Sequence, residues 1–171
     1  MAVAEILNVT PRKAVDVATG LEEDVRAKLA SDLSTLLIED YRLTMKTHVY
    51  HWNVVGPLFK SVHELTEQQY QDLFEAADTI AERIRALGFR APVNATDMKV
   101  DLDIVSQDNG WPKAHTMIQD LVQDHETIAA RMREVAAYAG DHRDIGTEDM
   151  LTARIRFHEK AAWMLRSILT E

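Results

Sequence analysis

The chain has no cysteine among its 171 residues. Disulfides, thiolate metal sites and cysteine nucleophiles are therefore excluded, so any metal must be held by histidine and carboxylate side chains. Glycine and proline are scarce, at 6 and 4 residues, which is typical of a helix-rich globule. The sequence also lacks an apolar run of about 18 residues and an apolar segment behind a basic start. We therefore expect a cytoplasmic protein that does not enter a membrane.

Positive charge is in the minority, because 19 lysines and arginines face 28 acidic residues and the formal net charge is -9. Sequence-independent binding to nucleic acid relies on basic side chains that neutralise phosphates. Arg12 and Lys13 are the only basic pair in residues 1–20. This balance argues against direct DNA binding, whereas an acidic surface attracts cations.

Apolar residues recur at three- and four-residue steps in four long segments, which predicts four helices. We expect these helices at about residues 21–53, 60–87, 112–139 and 147–170. Residues 1–20 are expected to form an N-terminal arm, and the crossover over residues 89–110 a short helix at 98–104. The whole chain, 1–171, is predicted to be one all-α domain, a ferritin-like four-helix bundle.

Glycine and capping residues set the predicted ends of these helices. Gly56 and Pro57 interrupt the first pattern, so the first two helices should form a hairpin. Gly140 is expected to stop the third helix, and Thr147 is expected to cap the N-terminus of the fourth. No internal repeat is apparent in the sequence.

Four side chains share one face of the predicted second helix, namely His63, Glu67, Asp78 and Glu82. Rotation of about 100° per residue places them at about 0°, 40°, 60° and 100° around the axis. Glu67 and Asp78 are eleven residues apart, which is about 16 Å of helix, whereas metal–ligand bonds are about 2 Å long. An antiparallel second copy, with a two-fold axis near residues 71–73, would join the two pairs into two equivalent sites.

The chemistry of this set suits iron, zinc or manganese, which imidazole and carboxylate groups bind together. His51 precedes the Gly56-Pro57 turn, so the hairpin would bring it near His63. Taken singly, each carboxylate could be a solvated surface group and each histidine a core residue. An intrachain di-iron bundle needs Glu-x-x-His motifs, and no glutamate in the sequence has a histidine three residues on. A zinc-protease motif also fails, because Glu67 stands where a second histidine is required.

Several stretches of the sequence resemble Dps, the DNA-protection-during-starvation mini-ferritins. They are residues 51–59 (HWNVVGPLF), 62–64 (VHE), 78–84 (DTIAERI), 86–88 (ALG) and 158–166 (HEKAAWMLR). The resemblance implies a hollow dodecamer with ferroxidase centres at its two-fold interfaces, each binding two iron ions. It further implies that Fe(II) is oxidised by hydrogen peroxide and stored as ferric mineral, which limits oxidative damage to DNA.

The resemblance also assigns residues. It implies that His51, His63 and Glu67 of one subunit, with Asp78 and Glu82 of its partner, hold the iron. Glu67 stands where the family has aspartate. Trp52 resembles the family's near-site aromatic, which intercepts oxidising equivalents, and simple packing is its alternative role.

Acidic residues near the start of the predicted fourth helix are candidates for the acidic three-fold pore of such shells. They are Asp141, Asp144, Glu148 and Asp149. Their alternative role is to stabilise a helix N-terminus. Two other functions stay open at this point: a DNA-condensing nucleoid protein, and a zinc- or manganese-binding shell without redox turnover.

Overall fold

The structure is a computed structural model of the chain and describes residues 11–92, 104 and 110–170. Within these residues it contains four helices and no strand: α1 (Glu23–Asn53), α2 (Phe59–Ala86), α3 (Ala114–Asp141) and α4 (Ile145–Leu169). The predicted all-α four-helix bundle is therefore confirmed. The short helix expected at residues 98–104 falls outside the described residues except for Ile104, as do residues 1–10 of the arm. No described helix is long and apolar enough to span a bilayer.

The bundle consists of two helical hairpins, α1 with α2 and α3 with α4, which contact each other chiefly through α1 and α3. Apolar side chains at three- and four-residue steps form the common core, including Leu29, Leu33, Leu36, Leu43, Leu73, Ile80, Ile84, Ile118 and Leu121. Burying each such side chain contributes roughly 1.5–3 kcal/mol. This packing, rather than helix propensity alone, holds the helices at fixed positions.

The turn between α1 and α2 sets the geometry of their hairpin. Val54 closes α1 with a backbone N–H donated to Tyr50 O at 2.9 Å. Gly56 then adopts a φ of 93°, in the left-handed region that glycine enters without a steric penalty. Its carbonyl accepts from the N–H of Phe59 at 3.0 Å as α2 begins. The end of α1 is thereby folded back onto the start of α2.

The described part of the arm docks on the end of α2. Ala14 N–H donates to Gly88 O at 2.8 Å, and Arg90 N–H donates to Arg12 O at 2.8 Å. Lys13 and Phe89 form an isolated antiparallel bridge between the same two segments. Residues 12–15 therefore have a defined place on the bundle.

The predicted boundary between α3 and α4 was wrong in two details. Gly140 lies inside α3, which continues to Asp141, and a Cβ at position 140 would meet the Glu148 carboxylate at 2.9 Å. Gly140 therefore does not stop the helix, and it lies against the flexible, exposed side chain of Glu148. Thr147 lies within the first turn of α4, and the N-cap is Asp144, whose side chain accepts from Thr147 N–H at 3.1 Å.

Candidate metal centre

His51 and His63 meet across the α1–α2 hairpin, as predicted from the turn. His51 lies in the last turn of α1 and His63 near the start of α2. Their rings stack with centroids 3.7 Å apart and an interplanar angle of 17°. His51 is buried and His63 is half-buried. The hairpin therefore presents two imidazoles side by side near the surface of the bundle.

Each of these rings donates a hydrogen bond to the other residue's backbone. His51 Nδ1 is 2.9 Å from His63 O, and His63 Nδ1 is 2.9 Å from His51 O. A carbonyl oxygen only accepts, so Nδ1 carries the proton in both neutral rings. Nε2 then keeps its lone pair in both rings, which is the state in which imidazole binds a metal.

The helix end explains why this arrangement forms. The carbonyl of His51 belongs to the last turn of α1, where no later helical amide can reach it. The ring of His63 supplies the missing donor from the other side of the hairpin. The same bond therefore satisfies a buried backbone acceptor and fixes the orientation of the His63 ring.

Aromatic side chains surround the paired rings. Tyr70 meets His51 edge-on at a centroid distance of 5.3 Å, and its ring stacks on His48 at 4.2 Å. The ring centroids of Trp52 and His48 are 4.0 Å apart, and Trp52 is 59% exposed. Burial, and secondarily the neighbouring His51, lowers the pKa of His48. Trp52 thus lies beside the centre, next to His48, and its redox role stays a prediction.

Tyr70 was not predicted from the sequence to lie beside these histidines. Its spacing of seven residues from His63 places both on one face of α2, and that spacing could have revealed it. The Tyr70 ring, in edge contact with the His51 imidazole, limits the rotation of that imidazole and shields one side of it from water.

The remaining predicted ligands lie on an exposed stripe of α2. Glu67, Asp78 and Glu82 are all exposed, and the residues between them on that stripe are Gln71 and Phe74. Phe74 is an aromatic residue at 62% exposure in the middle of this acidic stripe. A large exposed apolar side chain flanked by charged groups is typical of a surface that another protein covers.

One chain does not complete a metal site within the described residues. These residues contain no group of three or more His, Asp or Glu side chains able to hold a metal ion. This agrees with the axial distance of about 16 Å between the two halves of the set on α2. The complete five-residue site stays a prediction about two chains.

The acidic residues near the start of α4 divide into two groups. Asp141, Glu148 and Asp149 are exposed, and their role at a pore stays a prediction. Asp144 is only 4% exposed, and its Oδ1 accepts from Arg83 at 2.6 Å. Burial alone would raise the pKa of Asp144, but the bonds from Arg83 and Thr147 hold it below its ordinary value. The expectation that Asp144 lines a pore was therefore wrong, because its carboxylate serves as a cap and a buried ion-pair partner inside the bundle.

Comparison with known sequences agrees with the fold. The ferritin-like domain family matches residues 30–171. An uncharacterised low temperature-induced protein of Nostoc sp. is 40% identical over 152 residues, which cover 88% of this chain and 84% of the relative. A protein of Brevibacillus brevis named DNA protection during starvation protein is 31% identical over 127 residues, covering 74% of this chain and 85% of the relative.

The chain also superposes on solved structures of Dps proteins. The Dps protein of Vibrio cholerae O1, described as a member of a broad superfamily of ferritin-like diiron-carboxylate proteins, superposes with a TM-score of 0.79. It is 30% identical, and the match covers 92% of this chain and 99% of that one. DpsC of Streptomyces coelicolor has the same fold, with a TM-score of 0.83 at 24% identity, covering 100% of this chain and 97% of that one. The chain therefore belongs to the Dps mini-ferritin family of ferritin-like proteins.

Proposed function

We propose that this chain is a ferroxidase and iron-storage protein that oxidises Fe(II) with hydrogen peroxide between paired subunits. Twelve subunits form a shell that retains the ferric product, and removal of both reactants protects cytoplasmic DNA from oxidative damage. The observation that carries this proposal is the reciprocal bonding of His51 and His63, which leaves Nε2 of both rings ready to bind a metal. The names of its Dps relatives and the diiron-carboxylate description of the Vibrio protein support it.

A second copy of the chain supplies the missing carboxylates in this proposal. On α2, the midpoint between residues 63 and 82 coincides with that between residues 67 and 78. A two-fold axis at that point brings His63 opposite Glu82 of the partner subunit, and Glu67 opposite Asp78 of the partner subunit. Gln71 and Phe74 have the same midpoint. The partner helix would therefore cover Phe74, which accounts for its exposure in a single chain.

The proposed ligands provide charges suited to two ferrous ions. Glu67, Asp78 and Glu82 contribute three carboxylates, and His51 and His63 contribute two neutral imidazoles. Three negative charges attract two Fe(II) and continue to stabilise them as their positive charge rises on oxidation. Each Fe(II) gives up one electron, and peroxide takes both as its O–O bond breaks. With two waters, the products are two FeOOH units and four protons, so no hydroxyl radical is released.

The test of this function is the removal of a ligand that only the partner provides. Iron-free native shells and Asp78→Ala shells are titrated anaerobically with Fe(II), and then mixed with peroxide while ferric absorbance is followed. We expect the variant to lose fast oxidation by at least about tenfold, because a carboxylate ligand is missing. Glu134→Ala, at an exposed position on α3, serves as the matched control and should oxidise at the native rate.

Two outcomes would contradict the proposal. Native kinetics in Asp78→Ala would show that the exposed stripe of α2 does not bind the reacting iron. Absence of any peroxide-dependent ferric absorbance in the native shell would favour the zinc- or manganese-binding alternative.

A further inference from the structure

A short motif, His-Glu-x-x-Ala-x-x-x-Arg, occurs twice in the second hairpin of the bundle. It covers residues 125–133 on α3 (HETIAARMR) and residues 158–166 on α4 (HEKAAWMLR). No internal repeat was predicted from the sequence, and this one becomes meaningful only when the two helices lie side by side. The helices α3 and α4 are joined by a short link and run antiparallel. The two copies of the motif therefore lie opposite each other, with their sequences running in opposite directions.

The two copies interlock through reciprocal ion pairs. Arg166 pairs with Glu126, and Arg133 pairs with Glu159. The glutamate of each motif thus binds the arginine of the other, which gives the hairpin a local two-fold symmetry. Between the ion pairs is a cavity of about 240 Å³. Among the described residues, it is lined only by the eight defined positions of the two motifs: His125, Glu126, Ala129, Arg133, His158, Glu159, Ala162 and Arg166.

Two histidines meet at this cavity, completely buried. His125 Nδ1 and His158 Nδ1 are 2.9 Å apart, so one ring donates and the other accepts. Neither Nε2 has a hydrogen-bond partner among the described residues. Burial lowers the pKa of His125 to about 3 and that of His158 well below its ordinary value. Both rings are therefore neutral at neutral pH and share a single proton between them.

We propose that this cavity is a second metal site, in which a divalent first-row ion takes the place of the proton shared by His125 and His158. Two nitrogen ligands of a tetrahedral ion, each bonded at about 2.0–2.1 Å, are about 3.4 Å apart. The observed 2.9 Å is close to that separation, so the rings need to part by only about 0.5 Å. The displaced proton moves to Nε2 of the same ring, and both Nδ1 lone pairs become available without net proton release.

The carboxylates of Glu126 and Glu159 complete the site in this proposal only after they leave their ion pairs, because the described side chains as they stand bring no three such ligands together. They line the same cavity, and with two neutral imidazoles they balance the charge of a divalent ion. Their ion pairs are about half exposed, at 46% and 53% for the glutamate side chains, so opening them costs little. The freed arginine side chains then extend into water.

Cobalt(II) is a suitable probe, because a tetrahedral site with imidazole and carboxylate ligands gives it a visible absorption band. The experiment uses assembled, iron-free shells carrying His63→Ala and Asp78→Ala, which remove ligands of the proposed ferroxidase centre. We expect one Co(II) per chain, displaced by Zn(II). Adding His158→Gln should weaken Co(II) binding at least about tenfold, because one imidazole ligand is lost.

Matched controls and a second variant make the result decisive. His115→Gln and Glu134→Gln, both at exposed positions on α3 outside the cavity, should leave Co(II) binding unchanged. If His158→Gln fails to assemble, the double variant Glu126→Gln/Glu159→Gln decides the question through the same titration. The proposal is overturned if the parent shells bind no Co(II), or if the variant that assembles binds it with parental affinity. Since these shells lack His63 and Asp78, and the comparison rests on residues of the second hairpin, the outcome is independent of the proposed function.

Discussion

Two inactive variants should restore each other if the ferroxidase centre is divided between chains. His63→Ala removes a ligand from one half of the site, and Asp78→Ala removes a ligand from the other half. An interface between two identical variant chains has no complete site. In a mixed interface, one site lacks both ligands. The other is intact, because the Asp78→Ala chain supplies the imidazoles and the His63→Ala chain supplies the carboxylates.

The expected recovery follows from counting interfaces. Random pairing of equal amounts makes about half of the interfaces mixed, and each of these has one intact site out of two. About a quarter of native activity should therefore return. A site within one chain predicts no recovery, since every chain lacks a ligand. The helix separates the two halves by eleven residues, or about 16 Å, so one chain cannot rescue itself.

The assay compares shells refolded from the mixed chains with a mixture of separately assembled shells. Peroxide-dependent ferric absorbance should appear only in the co-refolded sample. A second control pairs Asp78→Ala with Glu82→Ala, which both damage the same half of the site. Every mixed interface of that pair lacks a carboxylate at both sites, so activity should stay absent. The reasoning is refuted if the first pair recovers no activity, or if the second pair recovers as much.

Further predictions concern activity, stability and pH. Glu67→Asp should keep most of the native oxidation rate because the negative charge is retained. Complete inactivation would show that oxidation depends on the length of the side chain that carries the carboxylate. Burial raises the pKa of Asp40 to about 7 from 3.8, so stability is lost as pH rises between these values. Asp40→Asn should then raise the free energy of unfolding at pH 8 by up to about 4 kcal/mol, from roughly 3 units at about 1.4 kcal/mol each, and a decrease would contradict this. Burial lowers the pKa values of His125 and His158, so stability is complete above the unfolded pKa of about 6.5 and is lost as pH falls below it. Denaturant titrations from pH 7 to pH 5 should show the free energy of unfolding decline by an amount approaching about 1.4 kcal/mol per pH unit for each histidine. A free energy of unfolding that stays constant over this range would contradict the prediction.

The helices could be predicted because their signals are local. Apolar residues at three- and four-residue steps mark the face that must be buried, and Gly56 with Pro57 interrupts the pattern. Both signals depend on residues within a few turns of each other. The predicted boundaries accordingly agree with α1 and α2 to within about two residues.

The predictions failed where a residue's role depends on a distant partner. Asp144 was predicted to line a pore because its neighbours in sequence are acidic, whereas Arg83 on α2 donates a hydrogen bond to its carboxylate. Gly140 was predicted to stop α3, whereas the helix continues to Asp141 and brings Gly140 against the Glu148 side chain. In both cases the local sequence allows two roles, and only packing selects between them.

By itself, the sequence determined the number of helices and the pairing of His51 with His63, since periodicity and turn chemistry act over short distances. It also implied that the two halves of the ferroxidase set cannot meet in one chain, because helix rise is fixed. The tertiary structure alone decided which nitrogen of each ring is free, through hydrogen bonds to carbonyls across the hairpin. It alone also brought the repeated motifs of α3 and α4 around one cavity. Side-chain orientation depends on partners that folding brings from elsewhere in the chain, and no local pattern contains that information.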